Sequence, residues 1–336
     1  MSIQNSLSPP SCSHRPLRTV LIGTSLGAES DQVVRAGLAV ARAAGARVVL
    51  VHAAELAPPL VGYEVGAGPI VERGQIARCH EELRQQIERL GLNEPELADS
   101  RVLVGAPHRI LSDTAQQLGA DLIVVGATGS GPLAAELLGS TADRVLRKAP
   151  CPVLVVRDGL QMPPRRVLAP VDLSTLSGDA FRCGLHLLSQ LAGSGEIQVQ
   201  AVYALRFMDA LAARKRTGDV PFEQIERSAA EELRRFVLEN RPEAPFHVET
   251  AVLPGEARFE ILRELEERPA DLVILGTHGR GGLDRLVLGS VASTVARKAP
   301  CSVLVISPEA ALEEGIADAI TTQTVPAWHH EPALVI

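Results

Sequence analysis

The chain has 336 residues, enough at about 150 residues per domain for two domains that each bury a core. Apolar residues make up 46% and charged residues 22%, and no uncharged apolar run approaches the ~18 residues of a spanning helix, which argues against disorder and against a membrane protein. A net charge of −7 and a pI near 5.8 leave no basic footprint for nucleic acid or for an anionic membrane surface.

Residues 1–16 (MSIQNSLSPPSCSHRP) are rich in Ser and Pro without an apolar core, so they read as a flexible lead and not as a signal peptide. Unbroken apolar runs follow at Val20–Ile22, Val48–Val51, Val102–Val104, Leu122–Val125 and Val153–Val156, the pattern of strands buried on both faces. Between them, helical spacing covers Gln32–Ala44, Gln75–Leu90, Arg109–Leu118 and Leu133–Lys148, most of these stretches bounded by Gly, Pro or Asn. A second series in the same order follows, with Phe222–Leu238 as its second helix. The alternation predicts an α/β fold, two tandem open parallel five-stranded sheets with helices on both faces.

The second series is a copy of the first. Ala120-Asp121-Leu122 returns as Ala270-Asp271-Leu272 and Arg147-Lys148-Ala149-Pro150-Cys151 as Arg297-Lys298-Ala299-Pro300-Cys301, a shift of 150 residues, while Val20-Leu21 matches Val167-Leu168 at 147. A period this long means two complete domains, 17–157 and 165–307, joined by residues 158–164, whose double proline stiffens the join. Residues 308–336 have no consistent period and read as a tail. The five cysteines are odd in number and none lies in a CxxC pair, so neither a disulfide framework nor a zinc site is indicated, and a reducing cytoplasm is expected. Tyr63 is the sole aromatic before Phe181, so a ligand in the first half is not held by aromatic stacking.

In open sheets of this kind ligands bind at the carboxyl ends of the strands where strand order reverses, which directs attention to the segments after strands one and four of each repeat. After strand four the repeats read Gly126-Ala127-Thr128-Gly129, nine residues, Gly139-Ser140-Thr141, and Gly276-Thr277-His278-Gly279, nine residues, Gly289-Ser290. Glycines allow close backbone approach, and Gly-Ser at a helix start offers N–H groups, a hydroxyl and the positive end of the dipole, which together make a phosphate cradle. Turn and cap glycines are the bland alternative; the same spacing in both copies favours the cradle.

The segment Asp271–Ile306, DLVILGTHGRGGLDRLVLGSVASTVARKAPCSVLVI, and its counterpart in the first repeat resemble the universal stress protein family, whose nucleotide-binding members carry G-x-x-G, nine residues, G-(S/T). The resemblance covers nearly all of residues 17–307 and implies a tandem member with two Rossmann-like domains of the adenine nucleotide alpha hydrolase type. It implies ATP, ADP or AMP as ligand, with Mg2+ as an accompanying ion. Gly126 and Gly276 would lie against ribose, and Gly129, Gly139, Ser140, Gly279, Gly289 and Ser290 would hold phosphates. Thr141 adds a hydroxyl that Val291 lacks, and Arg280 would pair with a phosphate unless it and His278 are simply exposed turn residues. The family places an Asp after strand one to meet adenine: Asp172, following Pro170, stands there in repeat two, where a helix cap is the alternative, whereas repeat one has Ser25. Repeat two is therefore the expected better site.

Gly23-Thr24-Ser25-Leu26-Gly27 matches a hydrolase nucleophile elbow, but its copy at Pro170–Ser174 does not, so Ser25 reads as a turn or cap serine. No P-loop or zinc-protease motif occurs. The resemblance implies a stress-response or regulatory protein that binds ATP or a related adenine nucleotide, with slow ATP hydrolysis or autophosphorylation, or a pure interaction scaffold, as alternatives. Cys151 and Cys301 read as small buried hydrophobes, and Arg147-Lys148 as partners of a helix C-terminal dipole. His329-His330 lacks a third metal ligand. Family dimers pair through the fifth strand, so Val153–Val156 and Val303–Ile306 are expected to meet within the chain as a pseudo-dimer; an unknown protein partner and further homodimerisation stay open.

Overall fold

The computed structural model describes residues 16–55, 68–92, 96–127, 138–157, 160–193, 196–206, 221–242, 246–277 and 288–307. The first repeat runs β1 (Thr19–Thr24), α1 (Ala28–Ala44), β2 (Arg47–Ala54), α2 (Gly68–Leu90), β3 (Leu97–Val104), α3 (Pro107–Leu118), β4 (Leu122–Gly126), α4 (Ser140–Lys148) and β5 (Val153–Val156). The second runs β6 (Arg166–Val171), α5 (Thr175–Leu191), β7 (Gln198–Leu205), α6 (Phe222–Asn240), β8 (His247–Pro254), α7 (Ala257–Glu267), β9 (Leu272–Gly276), α8 (Ser290–Lys298) and β10 (Ser302–Ile306).

All ten strands form one sheet in the order β3-β2-β1-β4-β5-β10-β9-β6-β7-β8. Pairing is parallel within each repeat and antiparallel at the junction, where Val155, Leu154 and Val153 face Val303, Leu304 and Val305. The fifth strands therefore meet, as the resemblance implied. Their register places Leu154 opposite Leu304 at a local two-fold axis. The covering helices divide by face: one core layer lies under α1, α2, α5 and α6, and the other under α3, α4, α7 and α8, and both continue across the junction. Fully buried side chains such as Ile22, Leu185 and Ile274 contribute roughly 1.5–3 kcal/mol each. A Cβ at Gly184 would come within 2.2 Å of Ile274, so α5 can lie this close to the sheet only with glycine there; Gly37 serves α1 in the same way against Ile22.

Two expectations need correction. The outer strands β3 and β8 are not buried on both faces; burial fluctuates along them and Val104 is 46% exposed, because a strand at the end of the sheet has one neighbour and incomplete helix cover. The helix expected over Leu133–Lys148 begins at Ser140, with Gly139 in extended conformation as its N-cap; residues 128–137 lie outside the described residues. The join also packs more than its prolines suggested, since Leu160 and Met162 seat against the junction beside Leu154 and Leu304. Among the described residues no helix is long and apolar enough to cross a membrane.

Candidate functional site

Strand order reverses between β1 and β4 and between β6 and β9. Within each pair the ladder covers only the first part of the strands: β1 pairs β4 through Ile22, and β6 pairs β9 through Leu168, although β1 continues to Thr24 and β6 to Val171. The carboxyl ends thus diverge into a crevice in each repeat. Pro170 lies on the diverging part of β6, where its missing N–H no longer interrupts pairing with β9.

The turns leaving β1 and β6 share a left-handed residue, Leu26 at φ 69° and Leu173 at φ 64°, which places Ser25 and Asp172 in equivalent positions. The bonds that hold the two turns differ. Asp172 Oδ1 accepts from the Ser174 N–H at 3.0 Å and from its hydroxyl at 2.6 Å, and Ser174 Oγ accepts from the Ser177 N–H as the N-cap of α5. The carboxylate expected at adenine thus also supports the helix cap, which was the alternative reading. In repeat one the Ser25 hydroxyl donates to Glu29 Oε1 at 3.3 Å, a turn serine as read from sequence.

Beyond β4 and β9 the two repeats match bond for bond. The Ala127 N–H donates to Val156 O at 2.9 Å and the Gly139 N–H to Ala127 O at 2.7 Å; in repeat two Thr277 bonds Ile306 O at 2.9 Å and Gly289 bonds Thr277 O at 2.8 Å. Strand end and helix start are thereby clamped together, and a Cβ at Gly289 would stand 2.9 Å from Thr277 O, so the close approach itself requires glycine. Gly126 and Gly276 are the last residues of their strands. Neither Gly139 nor Gly289 supplies a side-chain cap, so the first N–H groups of α4 and α8 at Ser140, Thr141, Ser290 and Val291 lack intrahelical acceptors and carry the positive end of the dipole. Val291 packs partly into the core. Gly129, Gly279, Arg280 and His278 lie outside the described residues, as do His329 and His330.

A buried polar network under the first crevice escaped the sequence reading. Gln86 of α2, fully buried, accepts from the Thr24 hydroxyl at 2.8 Å and donates to Ser30 Oγ at 3.0 Å and Asp31 Oδ1 at 2.9 Å. Thr24 Oγ1 also accepts from the Leu26 N–H at 3.0 Å, and His52 Nδ1 donates to Thr24 O at 2.9 Å. Arg89 grips Asp31 through two bonds of 2.8 Å and holds its carboxyl below the usual range. The visible signal was a glutamine on the apolar stripe Leu83-Gln86-Ile87-Leu90. At the same place in repeat two Phe236 packs on Phe181, ring centroids 6.1 Å apart.

Arg147 pairs with Asp143 one turn back on its own helix, in addition to lying in the last turn of α4. Cys151 and Cys301 are buried as expected, and burial pushes the Cys301 thiol up to about 11. Among the described residues no group of three His, Cys, Asp or Glu side chains is placed to hold a metal ion.

The family model described as "Universal stress protein family" matches residues 16–157 and 164–307. A universal stress protein of Mycolicibacterium smegmatis is 30% identical over 313 residues, spanning 86% of this chain and 97% of that protein. One from Thermus aquaticus is 31% identical over 140 residues, 42% of this chain and 98% of its own length. Among solved structures, a universal stress protein of Archaeoglobus fulgidus aligns over 86% of this chain and 98% of its own with a TM-score of 0.56 at 19% identity, and a Pseudomonas aeruginosa protein of unknown function over 90% and 98% with a TM-score of 0.57 at 21%; both likenesses concern the fold. With the model matched once in each repeat, the chain belongs to the universal stress protein family as a tandem member.

Proposed function

We propose that the chain is a regulatory protein that binds an adenine nucleotide, ATP or its ADP or AMP relatives, in the crevices at the carboxyl ends of its sheet, chiefly between β6 and β9. The observation that carries this reading is the start of α8. Gly289 is bonded to Thr277 O at 2.8 Å with no room for a side chain, and the uncapped helix end it leaves at Ser290 is suited to a phosphate. Gly276 and Asp172 border the same crevice, Asp172 as acceptor for a base amine and Gly279 and Arg280 as further phosphate partners. Gly126, Gly129, Gly139, Ser140 and Thr141 would serve the first repeat. Mg2+ would enter with the phosphates. Residues 17–157 and 165–307 are the two binding units on this reading, and a reducing cytoplasm is its setting. Nucleotide occupancy would bias a surface read by a protein partner.

Mass spectrometry of ligand released from purified protein, followed by ATP titration of wild type, Asp172→Ala and Gly289→Ala, tests the proposal. Adenine nucleotide near one per chain, lost in both variants with their circular dichroism spectra retained, is the expected result. Absence of binding by wild type in both measurements overturns it in favour of a scaffold, and ATP turnover by wild type alone moves the reading to an enzyme.

A further inference from the structure

The start of α4 meets the last turn of α8 across the junction. Asp143, in the first turn of α4, accepts from Arg297 at 2.7 Å across the junction and from its own-helix neighbour Arg147 at 3.1 Å. Arg157, just after β5, donates to the carbonyls of Ala296 at 3.0 Å and Arg297 at 2.6 Å, the C-terminal carbonyls of α8, and its backbone N–H donates to Ser302 Oγ at 3.0 Å. The first repeat thus grips the last turn of α8 with a carboxylate and a guanidinium. At the 150-residue shift, Asp143 becomes Ser293, Arg157 becomes Ser307 and Ser302 becomes Pro152, so the matching positions of the second repeat carry neither the carboxylate nor the guanidinium.

A helix of nine residues is about 13 Å long and moves as a rod, so holding its last turn sets its first. The first turn of α8 is where Gly289 meets Thr277 O with no space to spare. We propose that Asp143 and Arg157 of the first repeat are positioning residues for the second crevice: through α8 they set where Ser290 presents the helix start to an anionic ligand. This inference rests on the reading of that crevice as a nucleotide site. By linkage, ligand in the second crevice tightens the grip in return.

The full chain is the test object, with ATP as probe, calorimetry for affinity and hydrogen exchange for location. Arg157→Met and Asp143→Asn are expected to weaken ATP binding about 5- to 10-fold, with Arg157→Lys recovering part of the loss. Arg147→Gln, which removes the intrahelical partner of Asp143 and leaves α8 untouched, is expected to have no effect. In wild type ATP slows amide exchange at residues 289–292 and also at 296–302; in Arg157→Met the second effect disappears while the first remains. A purely structural loss would raise exchange at 296–302 with and without ATP by the same factor. If Arg157→Met does not fold, Asp143→Asn and Arg157→Lys carry the same comparison. Wild type that binds no ATP refutes both readings; wild type that binds ATP while every variant shows the same affinity and exchange pattern refutes only the coupling.

Discussion

Replacing Gln86 by Leu keeps the volume of the side chain and deletes its amide, so it isolates the polar network beneath the first crevice. The wild-type amide makes three bonds, to Thr24 at 2.8 Å, Ser30 at 3.0 Å and the Asp31 carboxylate at 2.9 Å. Two neutral bonds at about 1 kcal/mol each and one to a charged acceptor at about 1.5–3 kcal/mol total roughly 4 kcal/mol. The partners retain some satisfaction: Thr24 keeps the Leu26 N–H, Ser30 still donates to Gly27 O and Asp31 keeps Arg89. The net loss is therefore expected at about 2–4 kcal/mol. Urea unfolding followed by far-UV circular dichroism reads it as a fall in midpoint at unchanged slope. Thr24→Val alone removes one of the same bonds, so the double variant should cost about 1 kcal/mol less than the sum of the singles. A loss under about 0.5 kcal/mol for Gln86→Leu, or strict additivity, would refute the network as a cooperative unit.

Two other outcomes follow from the electrostatics. Burial by itself raises the Asp143 carboxyl, but the hydrogen bonds and charges of Arg147 and Arg297 outweigh it and hold the group below 3.8. A depressed carboxyl contributes stability above its unfolded value that is lost as pH falls through the folded value. The stability gap between wild type and Asp143→Asn, about 1 kcal/mol near neutrality, should close on acidification below about pH 4, and a gap unchanged from pH 7 to pH 3 in urea titrations would contradict the pairing. Cys301, pushed up to about 11 by burial and next by the charge of Asp271, should resist iodoacetamide at pH 8 in the native protein and react once it is unfolded; peptide mass spectrometry showing rapid native labelling would count against its placement.

Much of the fold was legible because its signals are local. The runs at Val20–Ile22 and Leu122–Val125 are strands because residues apolar on both sides need cover on both faces, and Gly45 and Gly119, left-handed at φ 67° and 58°, end α1 and α3 where glycine accepts that conformation at little strain. The Gly139-Ser140 and Gly289-Ser290 starts were equally readable, yet the helix pattern alone carried α4 back to Leu133, since apolar spacing cannot show that Gly139 turns extended to reach Ala127 O. The position of Asp172 directly after β6 is legible in the sequence, but its bond to Ser174, two positions away, belongs to a turn that depends on Leu173 being left-handed. Gln86 was passed over because a helical stripe reports which side faces inward and not which polar groups wait there.

The sequence by itself determined the repeat, the order of elements and the glycine-serine helix starts at Gly139 and Gly289, because hydrophobic period, capping and spacing act within a few residues of the chain. The tertiary structure alone decided that ten strands form one sheet, that Thr24 needs Gln86, that Gly289 must lack a side chain because of Thr277, and that Asp143 holds Arg297 across 154 positions of sequence. Those relations depend on where separate elements come to rest against one another, and no local pattern records the distance between two side chains that only folding brings together.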